Sequence, residues 1–430
     1  MNLELESVDI KDVRFASKTT IVNGILFINK DELQELLKKD RRFSSVNIDL
    51  AHPGESCRIV SVFDVVEPRA KVIGTGQNFP GVLGKMETAG KGRTKVLRGA
   101  SVVTIDYTAN AKERIPVFQS RIIDMVGPGV DLGLYGRLQN IVLLCTPASG
   151  VVRYDYWHAL RLAGLKAAVY LAEAAQSIPA DSVKAYHLES LAQNSKGLEH
   201  LPRIAYIYQF YGLQHSSGDK PLYEPIFYGD DVNKLLPTIV HPNEILDGGI
   251  VRGYAYGGAA ETYDIQNHPI VLELYNRHGI DLCFAGVVLT VGQSTEPERE
   301  RSIAIAAKLV KHVLAADGVI ITRLGGGATN VDLAQTAELC EQLGVKTVIC
   351  NFITGATADE SLVFNSPAVD AIVGIGSLSS SVNLPNVDKL IGKPLPFGDK
   401  QANDSITISF NIVNGAMNAV GASKIRIREF

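Results

Sequence analysis

The chain has 430 residues, of which 46% are hydrophobic and 20% are charged, and its formal net charge is −4. These values are typical of a globular protein with a large core, and the length suggests two or three domains. The sequence forms no basic face, which argues against a nucleic-acid partner. No apolar run approaches the roughly 20 residues of a membrane span, and the acidic N-terminus lacks the apolar core of a signal peptide. We therefore expect a cytoplasmic protein with no nucleic-acid or membrane partner.

The cysteines are widely spaced and form no CxxC pair. They are Cys57, Cys145, Cys283, Cys340 and Cys350. Three of them lie inside apolar, strand-like runs, which predicts buried and reduced thiols in a cytoplasmic protein. The spacing does not match a zinc site, so we expect no bound metal.

Residues 1–150 are predicted to be rich in β-structure. A tight turn at Asn23 and Gly24 interrupts the strand-like residues 21–28, and residues 30–39 form a short amphipathic helix. Further strands are expected at residues 46–50, 58–66, 71–73, 102–106 and 141–145. Residues 74–99 are rich in glycine and carry basic side chains that could hold an anion, but they do not match a P-loop. The alternative for this segment is a set of glycine hairpins beside a β-barrel.

From about residue 151 the pattern changes to apolar strands that alternate with helices. Helices are predicted at residues 154–176, 268–278, 297–314 and 331–343, and strands at 203–208, 283–290, 318–322, 346–350 and 371–373. Such alternation indicates a parallel sheet with helices on both faces. The predicted fold class is α/β, with a β-rich N-terminal domain (1–150) followed by a doubly wound, mostly parallel α/β domain (151–430).

Ligands of doubly wound domains bind at the carboxyl ends of the strands. That rule selects the loops at residues 290–294, 323–330, 351–354 and 374–377. The free N–H groups of a glycine loop that leads into a helix can receive a carboxylate or a phosphate, although a flexible connection is the alternative. The candidate substrate-binding residues are Thr290, Gln293, Gly325, Gly326, Gly327, Thr329, Asn330 and Asn351. The sequence GGGATN is not the GxGxxG of a dinucleotide site, which argues against a stand-alone NAD enzyme.

Residues 248–269, GGIVRGYAYGGAAETYDIQNHP, form what we name the Gly/Tyr stretch. Its glycines predict sharp bends or close backbone contacts. Tyr254, Tyr256, Glu261 and His268 lie between and after them, and side chains of these types donate, accept and transfer protons. They are the candidate catalytic residues. The alternative is a surface loop in which Glu261 is solvated and His268 only opens a helix before Pro269.

Several sequence segments together resemble one specific family. They are VNGILFINKDEL at residues 22–33, PGESCRIV at 53–60, DVVEPRAKV at 64–72, FPGVLGK at 79–85, GKGRTKVLRGASVVT at 90–104, IIDMVGPG at 122–129 and DGVIIT at 317–322. The chain resembles the processed subunit of component B in glycine, sarcosine and betaine reductases, and its relative in D-proline reductase. The resemblance extends over nearly the whole chain, in order.

The resemblance implies a proprotein that cleaves itself before an internal cysteine, which becomes a pyruvoyl group. It also implies a partner subunit whose thiol or selenol attacks the substrate. In the family that cysteine follows a motif like residues 247–253 here, yet this chain has no cysteine between Cys145 and Cys283. No serine occurs in the Gly/Tyr stretch, and Thr262 is its one threonine, which would give the less usual ketobutyryl group. We therefore expect an uncleaved chain with no pyruvoyl group and no other cofactor.

Two functions remain open at this point. In the first, the chain is one subunit of a heteromeric reductase or lyase that acts on a small amine or amino-acid-like substrate, with a thiol- or selenol-bearing partner. In the second, it is a non-catalytic scaffold or a ligand-binding subunit for a partner protein. Both imply a homo- or hetero-oligomer. A pocket that brings the Gly/Tyr stretch beside residues 325–330 would favour chemistry or ligand binding.

Overall fold

The computed structural model of the chain describes residues 1–108, 121–189, 191, 196–211, 226–232, 235–252, 260–293, 295–323, 328–353, 369–377, 380–394, 396–417 and 420. The α-helices are α1 (Lys30–Lys38), α2 (Pro128–Leu132), α3 (Arg153–Glu173), α4 (Pro242–Leu246), α5 (Thr262–Gln266), α6 (Pro269–Arg277), α7 (Glu296–Lys308) and α8 (Ala328–Gln342). Short 3₁₀ turns lie at Tyr135–Arg137 and Phe410–Ile412, and a π-helical turn at Leu309–Val313 extends α7.

The strands before α3 are β1 (Asn2–Asp9), β2 (Asp12–Ala16), β3 (Thr20–Val22), β4 (Ile25–Asn29), β5 (Phe43–Ala51), β6 (Cys57–Val60), β7 (Val62–Val66), β8 (Arg69–Ile73), β9 (Gly92–Arg98), β10 (Ala100–Ile105), β11 (Ile122–Asp124) and β12 (Gln139–Pro147). Those that follow are β13 (Ser182–His187), β14 (Arg203–Tyr211), β15 (Ile226–Phe227), β16 (Asp230–Asp231), β17 (Thr238–Val240), β18 (Ile250–Val251), β19 (Cys283–Gly292), β20 (Gly318–Arg323), β21 (Lys346–Ile353), β22 (Ala371–Ser377), β23 (Ser381–Leu384), β24 (Lys389–Gly392) and β25 (Ile406–Ser409).

The strands of the first 150 residues belong to small sheets, and the alternating pattern predicted this β-structure. One has the order β13-β1-β9-β8, a second has the order β5-β12-β10-β7, and a third has the order β11-β6-β24. The turn between β3 and β4 has positive φ at both Asn23 and Gly24. That geometry matches the right-handed twist of an antiparallel pair and explains the Asn-Gly sequence, so the predicted turn is confirmed.

Chain on both sides of residue 150 contributes to these sheets. The buried residues of α3, such as Trp157 and Leu160, share one core with the strands before it. β13 pairs with β1 in antiparallel order, and β24 pairs with β6 in parallel order. The division into domains at residue 150 stays a prediction.

The glycine-rich segment at residues 74–99 ends in a strand that the sequence analysis did not predict. Its last part is the strand β9, which pairs with both β1 and β8. Arg93 forms ion pairs with Glu4 and Glu6, Lys95 with Glu6, and Arg98 with Asp9. The carboxylates of β1 thus neutralise the basic residues of β9, because the two strands run parallel and adjacent.

The sheet that organises the second half of the chain is six-stranded, in the order β17-β19-β14-β20-β21-β22. Every neighbouring pair of strands is parallel except the pair of β19 with the edge strand β17, which is antiparallel. α7 and α8 cover one face, and α5 and α6 contribute to the core on the other. This is the predicted doubly wound α/β fold. β14 continues to Tyr211 and β21 to Ile353, so both strands are three residues longer than predicted.

The order of the parallel strands locates a crevice. Numbered along the chain, β19, β14, β20, β21 and β22 have the order 2-1-3-4-5. The chain therefore leaves β14 toward β19 on one side and later returns to add β20 on the other side. Ligands of such sheets bind outside the carboxyl ends of the strands at this reversal. The reversal lies between β14 and β20.

Candidate functional site

The Gly/Tyr stretch begins against the N-terminal sheets. The carboxylate of Asp247, the residue before it, forms a buried ion pair with Lys71. It also accepts hydrogen bonds from the Gly90 amide and the Thr94 hydroxyl, each at 2.8 Å. Gly248 has a φ of +84°, and a Cβ atom there would lie 3.0 Å from the Phe79 ring. Glycine is required at this point because a side chain would meet both strain and an aromatic ring.

Two described residues on either side of residues 253–259 contact each other, and their surroundings are the base of the Gly/Tyr stretch. Arg252 and Glu261 form a buried ion pair, and the Arg252 amide donates to the Thr262 hydroxyl oxygen at 3.3 Å. Asp64 of β7 binds the Thr262 amide at 3.0 Å and its hydroxyl at 2.7 Å. The Glu261 amide donates to Asp264 at 2.9 Å, which caps α5. The candidates Tyr254 and Tyr256 lie in residues 253–259, outside the described residues.

Five charged side chains meet at this base, and we name them the acid–arginine cluster. They are Asp64, Arg121, Arg252, Glu261 and Asp264, and each is at most 4% exposed. Glu261 forms ion pairs with both arginines, whose guanidinium groups also donate to the Phe63 carbonyl. The alternative interpretation, in which Glu261 is solvated, is therefore wrong, since the side chain is fully buried.

The acid–arginine cluster favours uptake of a proton. Three carboxylates face two guanidinium groups, so full ionisation would leave a net negative charge away from water. Burial raises the pKa of Glu261 to about 8, with Asp64 and Asp264 adding to the rise and Arg121 and Arg252 opposing it. Burial also raises the pKa of Asp264 to about 6. With the pKa of Glu261 and of Asp264 raised in this way, the cluster holds a proton near neutral pH.

His268 lies in a second buried cluster, just before α6. Its Nε2 atom is 3.2 Å from the Tyr206 hydroxyl, which also contacts the Thr322 hydroxyl. The ring packs edge-on against Tyr208, with centroids 4.9 Å apart. Burial lowers the pKa of His268 to about 3, so the imidazole is neutral at physiological pH. Since α6 begins at Pro269, His268 also occupies the helix-opening position that the alternative interpretation gave it.

Four polar side chains form a row at the carboxyl ends of β19, β14, β20 and β21, and we name it the polar row. They are Thr290, Gln209, Arg323 and Asn351, exposed by 4%, 4%, 4% and 8%. Gln209 is the registered neighbour of both Thr290 and Arg323. Thr290 contacts the Ser302 hydroxyl of α7 at 3.1 Å, and Arg323 donates to Asn351 at 2.8 Å. Two predicted residues, Thr290 and Asn351, thus lie at the same edge of the sheet, on strands that β14 and β20 separate.

The other predicted binding residues have different surroundings. Gln293 donates to the Leu235 carbonyl at 3.2 Å. Gly325, Gly326 and Gly327 lie outside the described residues. Thr329 and Asn330 belong to the first turn of α8, but their side chains also lie outside the described part.

Sequence reasoning missed Gln209 as a candidate and gave Arg323 no role of its own. The predicted strand ends at residue 208, three residues before the end of β14, so the prediction leaves Gln209 outside the strand. The available signal was a polar residue at the end of an otherwise apolar run, which occurs in RIAYIYQ and again in GVIITR.

The cysteines do not provide an activated thiol. All five are buried and free, as the sequence predicted. Burial raises the pKa of Cys57, Cys145 and Cys340 to about 12 and that of Cys350 to about 11. A raised pKa disfavours the thiolate, which is the nucleophilic form. Within the described residues, no group of three or more His, Cys, Asp or Glu side chains could hold a metal, and no helix could span a membrane.

The sequence matches the family described as "Glycine/sarcosine/betaine reductase component B subunits" over residues 1–428. The chain belongs to this family. It is 35% identical to "Glycine reductase complex component B subunits alpha and beta" of Acetoanaerobium sticklandii, with 100% of both chains covered. It is 36% identical to "Sarcosine reductase complex component B subunit alpha" of Peptoclostridium acidaminophilum, over 91% of this chain and 89% of that one.

The chain is also similar, at a lower identity, to "D-proline reductase proprotein PrdA" of Acetoanaerobium sticklandii. The identity is 22% over 81% of this chain and 54% of that one. No solved structure matches the chain.

The residues of the Gly/Tyr stretch do not fit the pyruvoyl group that the resemblance implies. The stretch contains neither cysteine nor serine. Thr262 is buried at the start of α5, where Asp64 binds both its amide and its hydroxyl. We therefore derive no step through such a group.

Proposed function

We propose that this component B-type chain works as an uncleaved, pyruvoyl-free subunit of a heteromeric reductase or C–N lyase. Its substrate would be a small amine or an amino-acid-like molecule. The family membership supports the reductase-component role, and the missing cysteine and serine support an uncleaved chain.

The acid–arginine cluster is the observation that carries this proposal. Without an electrophile to withdraw electrons, C–N cleavage depends on protonating the leaving nitrogen. A carboxylic acid that keeps its proton near working pH suits that task. Burial raises the pKa of Glu261 to about 8, and Glu261 follows Tyr254 and Tyr256 closely in the sequence. We assign Glu261 as proton donor and the two tyrosines as hydrogen-bond donors.

His268 receives a different role in this proposal. A pKa lowered to about 3 leaves no imidazolium to give up a proton at neutral pH. Its contact with Tyr206 at 3.2 Å suits a neutral hydrogen-bonding group that orients the aromatic side chains of β14. We therefore propose His268 as a positioning residue.

The nucleophile would come from a partner. Burial raises the pKa of the thiols in this chain, which favours the unreactive form. A partner subunit with a thiol or selenol would attack carbon while Glu261 protonates nitrogen. The carboxyl edge of the sheet, with Thr290 and Asn351, would hold the substrate.

The scaffold function is the second candidate, and one observation favours it. Glu261 is fully buried and paired with two arginines, an arrangement that also serves to hold neighbouring segments in place.

The test of the two functions is to isolate the partner that co-purifies from the chain's own host and to assay the complex for amine release from small amino acids. Turnover that requires this chain and a partner thiol supports the enzyme. Tight binding of the partner, together with turnover that does not require this chain, supports the scaffold.

A further inference from the structure

One fully buried arginine ties the C-terminal part of the chain to the N-terminal sheets. This part contains β23, β24 and β25, and we name it the C-terminal strap: residues 380–394 and 396–417. Arg58 of β6 forms an ion pair with Asp124 of β11, and neither side chain is exposed. The same guanidinium donates hydrogen bonds to three carbonyls of the strap, those of Pro385, Ala402 and Asp404, at 2.7, 2.6 and 3.0 Å. Because buried carbonyl groups need donors, this arginine fixes the path of the strap beside β6.

The end of the strap reaches the acid–arginine cluster. The Asn414 side-chain oxygen accepts a hydrogen bond from the Arg121 guanidinium at 3.0 Å, and the Asn414 amide donates to the Ile122 carbonyl at 2.7 Å. Asn414 is 4% exposed. Apolar residues of the strap share a core with the strands beside the cluster: Leu384, Ile406, Ile408 and Val413 pack with Val60 and Ile122. The strap therefore gives Arg121 a polar contact and covers the neighbouring strands.

The turn at the end of the strap fits tightly against the residues that it meets. A Cβ atom at Gly133 would lie 2.6 Å from the Asn414 carbonyl oxygen. Gly415 has a φ of +78°, and a Cβ atom there would lie 2.9 Å from the Tyr135 ring. Glycine permits both approaches because it has no side chain. The Tyr135 ring packs edge-on against Tyr263, with centroids 5.7 Å apart, so the strap is one aromatic ring away from α5.

The strap contacts the acid–arginine cluster through a neutral side chain. The charged and titratable groups that face Glu261 or its neighbour Asp264 are Asp64, Arg121, Tyr135, Arg252, Tyr263 and Asp264 itself. Asn414 orients Arg121 but does not compete with Glu261 for its positive charge, as another carboxylate would. Exclusion of water is what disfavours a full set of ionised carboxylates in the cluster. Cover by the strap and the bound proton therefore belong together.

We propose that the C-terminal strap controls the proton of the acid–arginine cluster, with Asn414 as the positioning residue that holds Arg121 in place. While the strap is docked, the cluster is closed to water and Glu261 keeps its proton. When the strap lifts, water reaches the carboxylates, and Glu261 ionises as an exposed acid does at neutral pH. The inference deepens the proposed function, since Glu261 is the proton donor there, and it adds a means of regulating that donor.

Linkage makes the coupling between strap and proton reciprocal. If the docked strap retains the proton, the bound proton must stabilise the docked strap by the same factor. In the closed cluster, burial raises the pKa of Glu261 from 4.5 to about 8. A raised pKa stabilises the docked state fully below the lower value, and this contribution is lost as pH rises toward the higher one. The strap should therefore lift more readily as pH rises through this window.

Infrared spectroscopy of the complete purified chain tests the positioning role without substrate or partner. A protonated carboxyl group has its own C=O stretching band, and the band that disappears in Glu261→Gln reports the proton of Glu261. Asn414→Asp places a further carboxylate on Arg121. Because a like charge disfavours ionisation, the band should persist to a pH about one unit or more above that of the wild type.

Asn383→Asp is the matched control for this variant. It adds the same charge to the strap, but Asn383 is exposed and accepts a hydrogen bond from the Thr407 hydroxyl at 2.6 Å. The midpoint of the band should move by less than about 0.3 pH unit, since exposed charges are screened. Equal midpoints in the two variants, or the lack of any band that Glu261→Gln removes, would overturn the inference.

Hydrogen exchange on the wild-type chain tests the coupling even where Asn414→Asp does not fold. Amides of the strap, such as those of β25, should be less protected than those of β14 and β19, because the strap lifts while the sheet stays folded. Their protection factors, corrected for the intrinsic effect of pH on exchange, should fall by about 10- to 100-fold between about pH 5.5 and pH 7.5. In Glu261→Gln they should change by less than about threefold, because the coupled proton is absent. Strap amides as protected as the sheet, or wild-type factors that do not depend on pH, would overturn the inference.

Failure of this inference and failure of the proposed function are distinguishable, because neither measurement involves turnover. A chain that meets both expectations but shows no turnover with a partner contradicts the proposed function alone. An active complex whose strap shows no coupling to the Glu261 proton contradicts this inference alone.

Discussion

The acid–arginine cluster and the polar row are both buried, yet they differ in how many charged groups they bring together. In the cluster, Glu261 has two guanidinium partners and Asp64 binds both polar atoms of Thr262. In the row, Arg323 is the one charged member, and within the described residues the Gln209 side-chain oxygen has no hydrogen-bond partner. Several carboxylates around two guanidinium groups shift the pKa of an acid, whereas a row with a single guanidinium can bind a group of opposite charge. In the proposed function, the cluster therefore supplies the proton and the row contacts the substrate.

The comparison holds only if the chain is intact at the cluster, and this gives the largest expected effect. The purified chain should be a single species of 46.4 kDa. The reason is that the Gly/Tyr stretch lacks cysteine and serine and that Thr262 is held at the start of a helix. Intact-mass spectrometry measures this directly. Two fragments that meet near Thr262, together with a carbonyl that reacts with hydrazine, would contradict it.

The next prediction tests whether the cluster carries chemistry. Glu261→Gln removes the acidic proton and keeps the shape, so turnover of the reconstituted complex should fall by about 10²–10⁴-fold, the usual contribution of a general acid. Partner binding should change little. Glu244→Gln is the matched control, since Glu244 accepts from Tyr228 at 2.6 Å in a separate contact. Full turnover in Glu261→Gln with the partner present would make the scaffold function the better account.

A third prediction concerns stability. Arg121→Met should lower the free energy of unfolding by about 3–5 kcal/mol, because it leaves part of a buried negative charge uncompensated. Denaturant unfolding measures the change. Adding Glu261→Gln to this variant should recover part of the loss, since one of the three acidic groups that share the remaining guanidinium is then gone. Arg14→Met, which removes an exposed pair with Asp12, should have little effect. Equal effects at the two arginines would show that burial of the cluster does not matter.

The sequence predicted the large elements well because apolar periodicity determines them. Mainly apolar runs predicted the strands β14, β19, β20 and β21, and the helical period predicted the helices α7 and α8. The pairing of β24 with β6, about 330 residues apart in numbering, has no local signal. The burial of Glu261 could not be predicted from the sequence either, because its partner Arg121 comes from a distant segment of the chain. Spatial clusters depend on tertiary pairing, and residue spacing alone does not specify it.

The pH dependence of stability gives a smaller and more gradual effect. The pKa of Glu261 rises from 4.5 in the unfolded chain to about 8 in the folded one. Between these values the folded state binds more protons, so the free energy of unfolding should fall as pH rises, by up to about 1.4 kcal/mol per pH unit. Above pH 8 this contribution should level off. Glu261→Gln should flatten the slope in that window, and an unchanged slope would place the bound proton elsewhere.

The smallest expected effect is at His268, and it separates the two candidate proton donors. His268→Gln keeps a nitrogen near the position of Nε2, and so keeps the contact with Tyr206, but it removes the ring that could carry a proton. Because burial lowers the pKa of His268 to about 3, the wild-type side chain is already neutral at working pH. Turnover should therefore stay within about threefold of wild type, whereas loss of a general acid costs about 10²–10⁴-fold. His268→Leu, which also removes the contact with Tyr206, should lower turnover more than His268→Gln does. A loss of 100-fold or more in a folded His268→Gln variant would move the proton-donor role from Glu261 to the imidazole.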